Sequence, residues 1–159
     1  MDSAPRWTEA ERSDSSGLLT PVILSRESQY GLEGLMVLAR QPRGKVLLLR
    51  QIAEAGHLPA GFLARTFQKL KRHNVVASYR GAVRGYALAR RPHEITLREI
   101  FEAIEGPNVF TRGIFSPSRS GDRYPCRLRE EWGPIAERLR RVMEETTLAH
   151  VASGDPGDR

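Results

Sequence analysis

Arg80, Arg84 and Arg90 stand around Gly81, Gly85 and Tyr86 in the stretch SYRGAVRGYALAR, residues 78–90. A short way upstream, Arg65, Gln68, Lys69 and Arg72 share one helical segment with Leu63, Phe67 and Leu70. No nucleophile, base and binding motif converge here. Guanidinium and ammonium groups beside glycines that permit a turn suit phosphate binding instead. Taken alone, the hairpin reads equally as a solvated basic surface; the elements before it tip the balance toward an anionic partner.

The charge distribution points the same way. Between Arg40 and His93 there are 12 Lys or Arg and a single acid, Glu54, whereas the rest of the chain holds 13 basic and 18 acidic residues. The net charge of +6 is therefore concentrated in one region. Such a footprint suits nucleic acid. One cysteine, Cys126, excludes an internal disulfide and any site built from several thiolates of one chain. No apolar run is long enough to suggest a membrane span, and the N-terminus lacks a signal-peptide pattern. These features predict a cytoplasmic protein with no membrane partner.

The elements that must position the arginines follow from periodicity. Residues 1–20 are polar and read as a disordered extension or a weakly held arm. Tyr30, Leu32, Leu35, Met36 and Leu38 recur at helical spacing over 25–39, with Ser25 or Ser28 as the cap. LLLRQIAEAG predicts a second helix leaving through Gly56. HLP turns the chain, and Pro59 opens a third helix to about His73, with Asn74 as a left-handed exit. Phe62, Leu63, Phe67 and Leu70 are its expected core residues. VVASY and YALAR read as strands of a hairpin. A fourth helix starts near Ile95 and ends at EGP. From Cys126 to about His150, Leu128, Trp132, Ile135, Leu139 and Val142 repeat at steps of three or four, predicting one long helix that presents a dimerisation stripe. Gly133 and Pro134 predict a kink or a true start within it.

Helix, turn, basic helix and glycine-containing hairpin make a winged helix-turn-helix pattern. The expected fold is mainly α with a small β wing, followed by a long C-terminal dimerisation helix. The domain reading is 21–93 for the DNA-binding head, 94–125 for a linking helix and sensor loop, 126–151 for the dimerisation helix and 152–159 for a frayed tail. A third helix of this kind enters the major groove while the wing meets phosphates or the adjacent minor groove. The predicted DNA-binding residues are Pro59, Ala60, Gly61, Arg65, Gln68, Arg80 and Arg84, with Lys69 and Arg72 either on phosphates or simply facing solvent.

The run from IAEAGHLPAGF to FEAIEGP, continued by CRLREEWGPIAERLRRV, resembles a bacterial winged-helix repressor family. That family includes the iron–sulfur cluster assembly regulator, the nitric-oxide-sensing repressor and the cysteine-metabolism repressor. The densest likeness lies at Ile52-Ala53, Phe62-Leu63, Leu70, Arg80-Gly81, Gly85-Tyr86, Leu88-Ala89-Arg90 and Glu105-Gly106-Pro107. The resemblance implies a homodimer on double-stranded, palindromic operator DNA, with long helices crossing between subunits. It also implies recognition through Pro59, Ala60, Gly61 and Arg65 and wing contact through Arg80 and Gly81. Arg84 replaces the first glycine of the Gly-Gly pair common in such wings.

Many members of that family hold an iron–sulfur cluster on three cysteines. Here Cys126 matches the last of them, with Trp132 following, while Ile114, Phe115 and Ser116 occupy the stretch of the other thiols. One thiolate does not hold a cluster, so no cofactor and no metal site is expected. Cys126 has three readings: an inert, partly buried residue, a redox-active thiol favoured by Arg123 and Arg127, or the lining of a small-ligand or partner pocket. The signal accordingly has three candidates: thiol oxidation, an uncharged or anionic small-molecule effector and a protein partner; constitutive DNA binding is the alternative to any signal. Glu99, Glu102 and Glu105 read as an exposed helix face rather than paired catalytic acids, so no enzyme is predicted. The competing reading is a noncatalytic protein-interaction module with a basic surface.

Overall fold

The structure, a computed structural model, describes residues 24–110 and 126–154, and of residues 126–130 the backbone alone. The extension 1–20, the segment 111–125, the last residues from 155, and the side chains of Cys126 and Leu128 lie outside the described residues.

Helix α1 spans Arg26–Ala39, capped by the Ser25 side chain, which accepts from the Ser28 N–H. Helices α2 (Leu49–Gly56) and α3 (Ala60–Arg72) form the helix-turn-helix. Strands β1 (Val76–Tyr79) and β2 (Gly85–Leu88) pair antiparallel, with Ser78 opposite Tyr86. A 3-10 turn at Pro92–Glu94 leads to α4 (Leu97–Glu105), and α5 (Cys126–Glu145) and α6 (Leu148–Ala152) complete the described chain. The expected winged architecture is observed: a mainly helical body with a two-stranded wing.

One core joins these elements. Leu35 of α1, Ile52 of α2, Leu63, Phe67 and Leu70 of α3, and Ile100 of α4 are fully buried in it. Helix α1 runs close over α3 because Gly34 has no side chain where a Cβ would stand 3.0 Å from Leu63 and from Phe67. At α4 the Thr96 side chain accepts from the Glu99 N–H while Glu99 accepts from the Thr96 N–H at 2.9 Å, a reciprocal cap.

Three local expectations are corrected. The left-handed exit of α2 is His57 (φ 53), and Gly56 is the last helical residue. Asn74 (φ 56) does take the left-handed conformation expected of it. Phe62 is not a core residue: it is 53% exposed, resting edge-on against Tyr30 at 6.1 Å. Thr66 takes the buried place on that stripe, its hydroxyl satisfied by donating to the Phe62 carbonyl at 3.0 Å. The helix from Cys126 does not reach His150 either. It runs through Pro134 but stops at Glu145, where Thr146 and Thr147 bridge back to the start of α4. The Leu97 N–H donates to the Thr146 carbonyl and the Leu148 N–H to the Ile95 carbonyl, both at 2.8 Å. Leu148 is thereby pinned, fully buried, in the core.

Finally, the sheet has a third participant. The segment before α2 reaches Tyr86 through two backbone bonds, the Leu47 N–H to the Tyr86 carbonyl at 2.9 Å and the Tyr86 N–H to the Leu47 carbonyl at 2.8 Å. Gly85 makes this approach feasible. Its φ is +143, and a Cβ there would sit 2.2 Å from the Leu47 oxygen.

Candidate nucleic-acid interface

On α3 the buried stripe is Leu63, Thr66, Phe67 and Leu70, so the opposite face is fixed by the helical period. That face carries Gly61, Arg65, Gln68 and Arg72, all exposed. Pro59 precedes the first turn, with Ala60 and Gly61 exposed in it, and open space surrounds the Cβ position of Gly61. A backbone or base edge can therefore approach the first turn closely. Arg65 has no hydrogen-bond or ion-pair partner among the described residues. Gln68 differs: its side-chain amide donates to the Tyr86 hydroxyl at 3.1 Å, and the Tyr86 ring packs edge-on against Phe67 at 5.2 Å. Gln68 thus joins the third helix to the wing.

The wing carries Arg80, Gly81 and Arg84 at its exposed tip, with Gly81 at φ +109. Arg80 and Arg84 share a cleft of about 1040 Å³ with Arg50, Gln68 and Lys71. Arg50 reaches Glu54 only across an exposed 3.6 Å gap, and such pairs hold a side chain weakly. The cleft thus presents several cations between the third helix and the wing, where phosphates can neutralise them. Lys71 and Arg50 escaped the sequence reading. Lys71 stands three residues after Gln68, so helical spacing placed it on the wing flank, and Arg50 lay beyond any motif.

Two basic residues face elsewhere. Lys69 lies at the junction of α1, α3 and α4, where its ammonium donates to Glu27 Oε2 at 2.8 Å and to the Ile104 carbonyl at 3.0 Å. Contrary to the DNA-facing expectation, it clamps the head together. Arg90, the last arginine of the hairpin, donates to the Asn74 and Glu94 carbonyls and pairs with Glu99 at 2.9 Å.

Glu105 closes the same junction. Burial pushes its pKa up, but the Ser25 and Ser28 hydroxyls and the Ser25 N–H all donate to it, and Lys69 lies near. The carboxyl is held below its ordinary range. Glu99 is lowered too: burial raises it, and the Thr96 N–H and Arg90 more than offset that. Both acids thus hold the head together. They form no reactive pair.

A family model described as the Rrf2 iron-dependent transcriptional regulators matches residues 24–154. The chain belongs to the Rrf2 family. Rrf2 regulators bind DNA, and the expectation of a regulator rather than an enzyme holds. The chain is 31% identical over 136 residues to the regulator CymR of Bacillus subtilis, covering 86% of this chain and 94% of that one. A putative HTH-type transcriptional regulator of Mycobacterium tuberculosis is 31% identical over 131 residues, covering 82% of this chain and 81% of its own length. Among solved structures, that of CymR, the global cysteine regulator of B. subtilis, superposes with a TM-score of 0.68 at 30% identity, covering 83% of this chain and 97% of that one.

The Rrf2 description names iron, and the donor set of this chain does not fit an iron–sulfur cluster. A single cysteine supplies one soft ligand, where clusters take about four. Among the described residues no three of His, Cys, Asp and Glu gather as a metal site. No described helix is long and apolar enough to cross a membrane.

Helix α5 divides the expected dimerisation stripe. Leu139 and Met143 pack on the head's own core, whereas Ile135 (53% exposed) and Val142 (48% exposed) face outward seven residues apart. Trp132 is half-buried.

Proposed function

We propose that this Rrf2 regulator is a homodimeric repressor working in the cytoplasm on a palindromic operator. Its signal is one other than a three-cysteine iron–sulfur cluster. The observation that carries this reading is the coincidence, on one side of the head, of the exposed Gly61–Arg65–Gln68–Arg72 face and the cationic wing cleft. The first turn of α3 enters the major groove, and Arg65, without a partner among the described residues, reads a base edge or holds a phosphate. Arg80 and Arg84 take backbone phosphates at the wing, with Gly81 allowing close approach. Gln68, fixed on Tyr86, holds the wing at a set distance from the helix. The DNA-reading elements lie within 21–93, and α4, packed in the same core, carries the chain on toward 111–125.

Ile135 and Val142 support the dimer: they form an outward apolar pair two turns apart on a helix whose other apolar face is already used, the kind of stripe a partner helix covers. Two heads related by a two-fold axis read half-sites about one helical turn apart. Selection of duplexes by the reduced protein, followed by titration of the selected site against a scrambled duplex across salt, tests the proposal. A palindromic site preferred by about a thousandfold supports it. Equal, steeply salt-dependent binding to both duplexes refutes it in favour of a basic interaction module.

A further inference from the structure

The described chain has a second cleft, of about 760 Å³, at the far end of β2 from the wing tip. Its walls are the end of α1, the loop after it, the Leu88 end of β2 and the 3-10 turn. Leu38, Ala39 and Leu88 supply apolar surface, and Arg43, Lys45, Arg91 and His93 supply charge or donors. Glu94 is the one acid among the described residues lining it, and its carboxylate is occupied by the Arg91 N–H at 2.8 Å. No hydrogen bond or ion pair engages the side chains of Arg43, Lys45, Arg91 or His93 among the described residues.

This cleft is separate from the DNA face. The Leu47–Tyr86 bridge stands between the two, with residues 41–45 lining one cleft and Leu48–Arg50 the other. From Gly85 to Leu88 the strand runs about 10 Å away from the wing tip. A duplex held by α3 and the tip of the wing is therefore centred on the other cleft. Like charges gathered in a concave, partly apolar cleft repel one another and concentrate an anion there. The volume lies within the roughly 300–1,000 Å³ of small-ligand sites.

We propose that this cleft binds a small multivalent anion bearing phosphate or carboxylate groups. Arg43 and Arg91 provide planar forks for bidentate contact, and Lys45 a point charge. The apolar part of the ligand lies on Leu38 and Leu88. Arg90 forms part of the wall and reaches the Asn74 carbonyl at the exit of α3 and Glu99 on α4. An occupant is thereby linked to the recognition helix and to the helix leading into 111–125, and the cleft is an input for the regulator. That regulatory meaning rests on the DNA-binding reading. The binding itself does not.

The test is calorimetric titration of the full chain, without DNA, using pyrophosphate and citrate as probes. Saturable binding at one site per chain is expected, and the stronger probe distinguishes a phosphate from a carboxylate source. The double variant Arg43→Gln/Arg91→Gln should lose about tenfold or more in affinity while keeping its circular dichroism and melting temperature. The wing variant Arg80→Gln/Arg84→Gln should bind the anion as the parent does. No saturable binding below about 10 mM overturns the proposal, as does equal loss in both variants, which marks a general charge effect. A cleft variant that loses as much DNA affinity as the wing variant, with no anion present, also overturns it and makes the cleft part of the DNA footprint. Saturable binding that leaves operator affinity unchanged keeps the site and refutes its role as an input. Failure of the parent to prefer any duplex refutes the repressor reading alone.

Discussion

Replacing Gly85 by alanine should unfasten the wing from the head. The residue sits at φ +143, and a Cβ would stand 2.2 Å from the Leu47 oxygen, 2.6 Å from its carbonyl carbon and 3.0 Å from the Leu48 nitrogen. All three are backbone atoms, so no side chain can swing aside. The clash is relieved by parting the Leu47–Tyr86 bridge, which loses bonds of 2.9 and 2.8 Å. At about 1 kcal/mol each these bonds amount to about 2 kcal/mol, and the unfavourable φ adds about 1–2 kcal/mol. The expected loss is about 3–4 kcal/mol, or roughly 6–16 °C in melting temperature for a chain of this size. Gly81→Ala is the control: its φ is +109, but nothing lies within 4 Å of the added carbon, so only about 1–2 kcal/mol should be lost. Chemical denaturation of both variants gives the difference, and hydrogen exchange at the Leu47 and Tyr86 amides locates it. Equal losses in the two variants, or unchanged protection of those amides in Gly85→Ala, would refute the reasoning.

Arg65→Ala should weaken operator binding by about 1–3 kcal/mol, and Arg80→Ala should lower the salt slope of log affinity by about one, both measured by fluorescence anisotropy. Lys69→Met should leave that slope unchanged but lower the melting temperature, since Glu27 and the Ile104 carbonyl lose their donor; a reduced slope would return Lys69 to the DNA face. Ile135→Asp combined with Val142→Asp should yield a folded monomer by light scattering, while Leu139→Asp should destabilise the head itself, and a stable dimer in the first case would move the interface elsewhere. Glu99 and Glu105 are held below the ordinary value of 4.5, so their contribution is present above that pH and is lost as pH falls through the lowered values. The melting temperature should accordingly fall below about pH 4.5, and the acid-side slope should shrink in Glu105→Gln; an unaltered slope would remove Glu105 from the account.

The order of elements was legible because each rests on local chemistry. Leu63, Phe67 and Leu70 repeat at the helical period. Asn74 tolerates a left-handed exit, and Gly81 and Gly85 permit a hairpin. The same local rules placed Arg65, Arg72, Arg80 and Arg84 on exposed surface. The family likeness lay in residues of that kind, the cores and turns of a single fold.

What a side chain touches across the fold was decided only by packing. Lys69 and Lys71 look alike in sequence, yet one is drawn inward by Glu27 and the Ile104 carbonyl and the other faces the wing cleft. Phe62 falls one helical step off the buried stripe, and Thr66 enters the core because a carbonyl one turn back satisfies its hydroxyl. Helix α5 stops at Glu145 because Thr146 and Thr147 find backbone partners beside Ile95, some fifty residues earlier in the chain. Gly85 was readable as a turn residue, but its closer constraint is Leu47, thirty-eight residues away. Periodicity and turn chemistry act over a few residues and so are written in the sequence. Ion pairs, bridges and clefts between distant segments exist only once the core has brought those segments together.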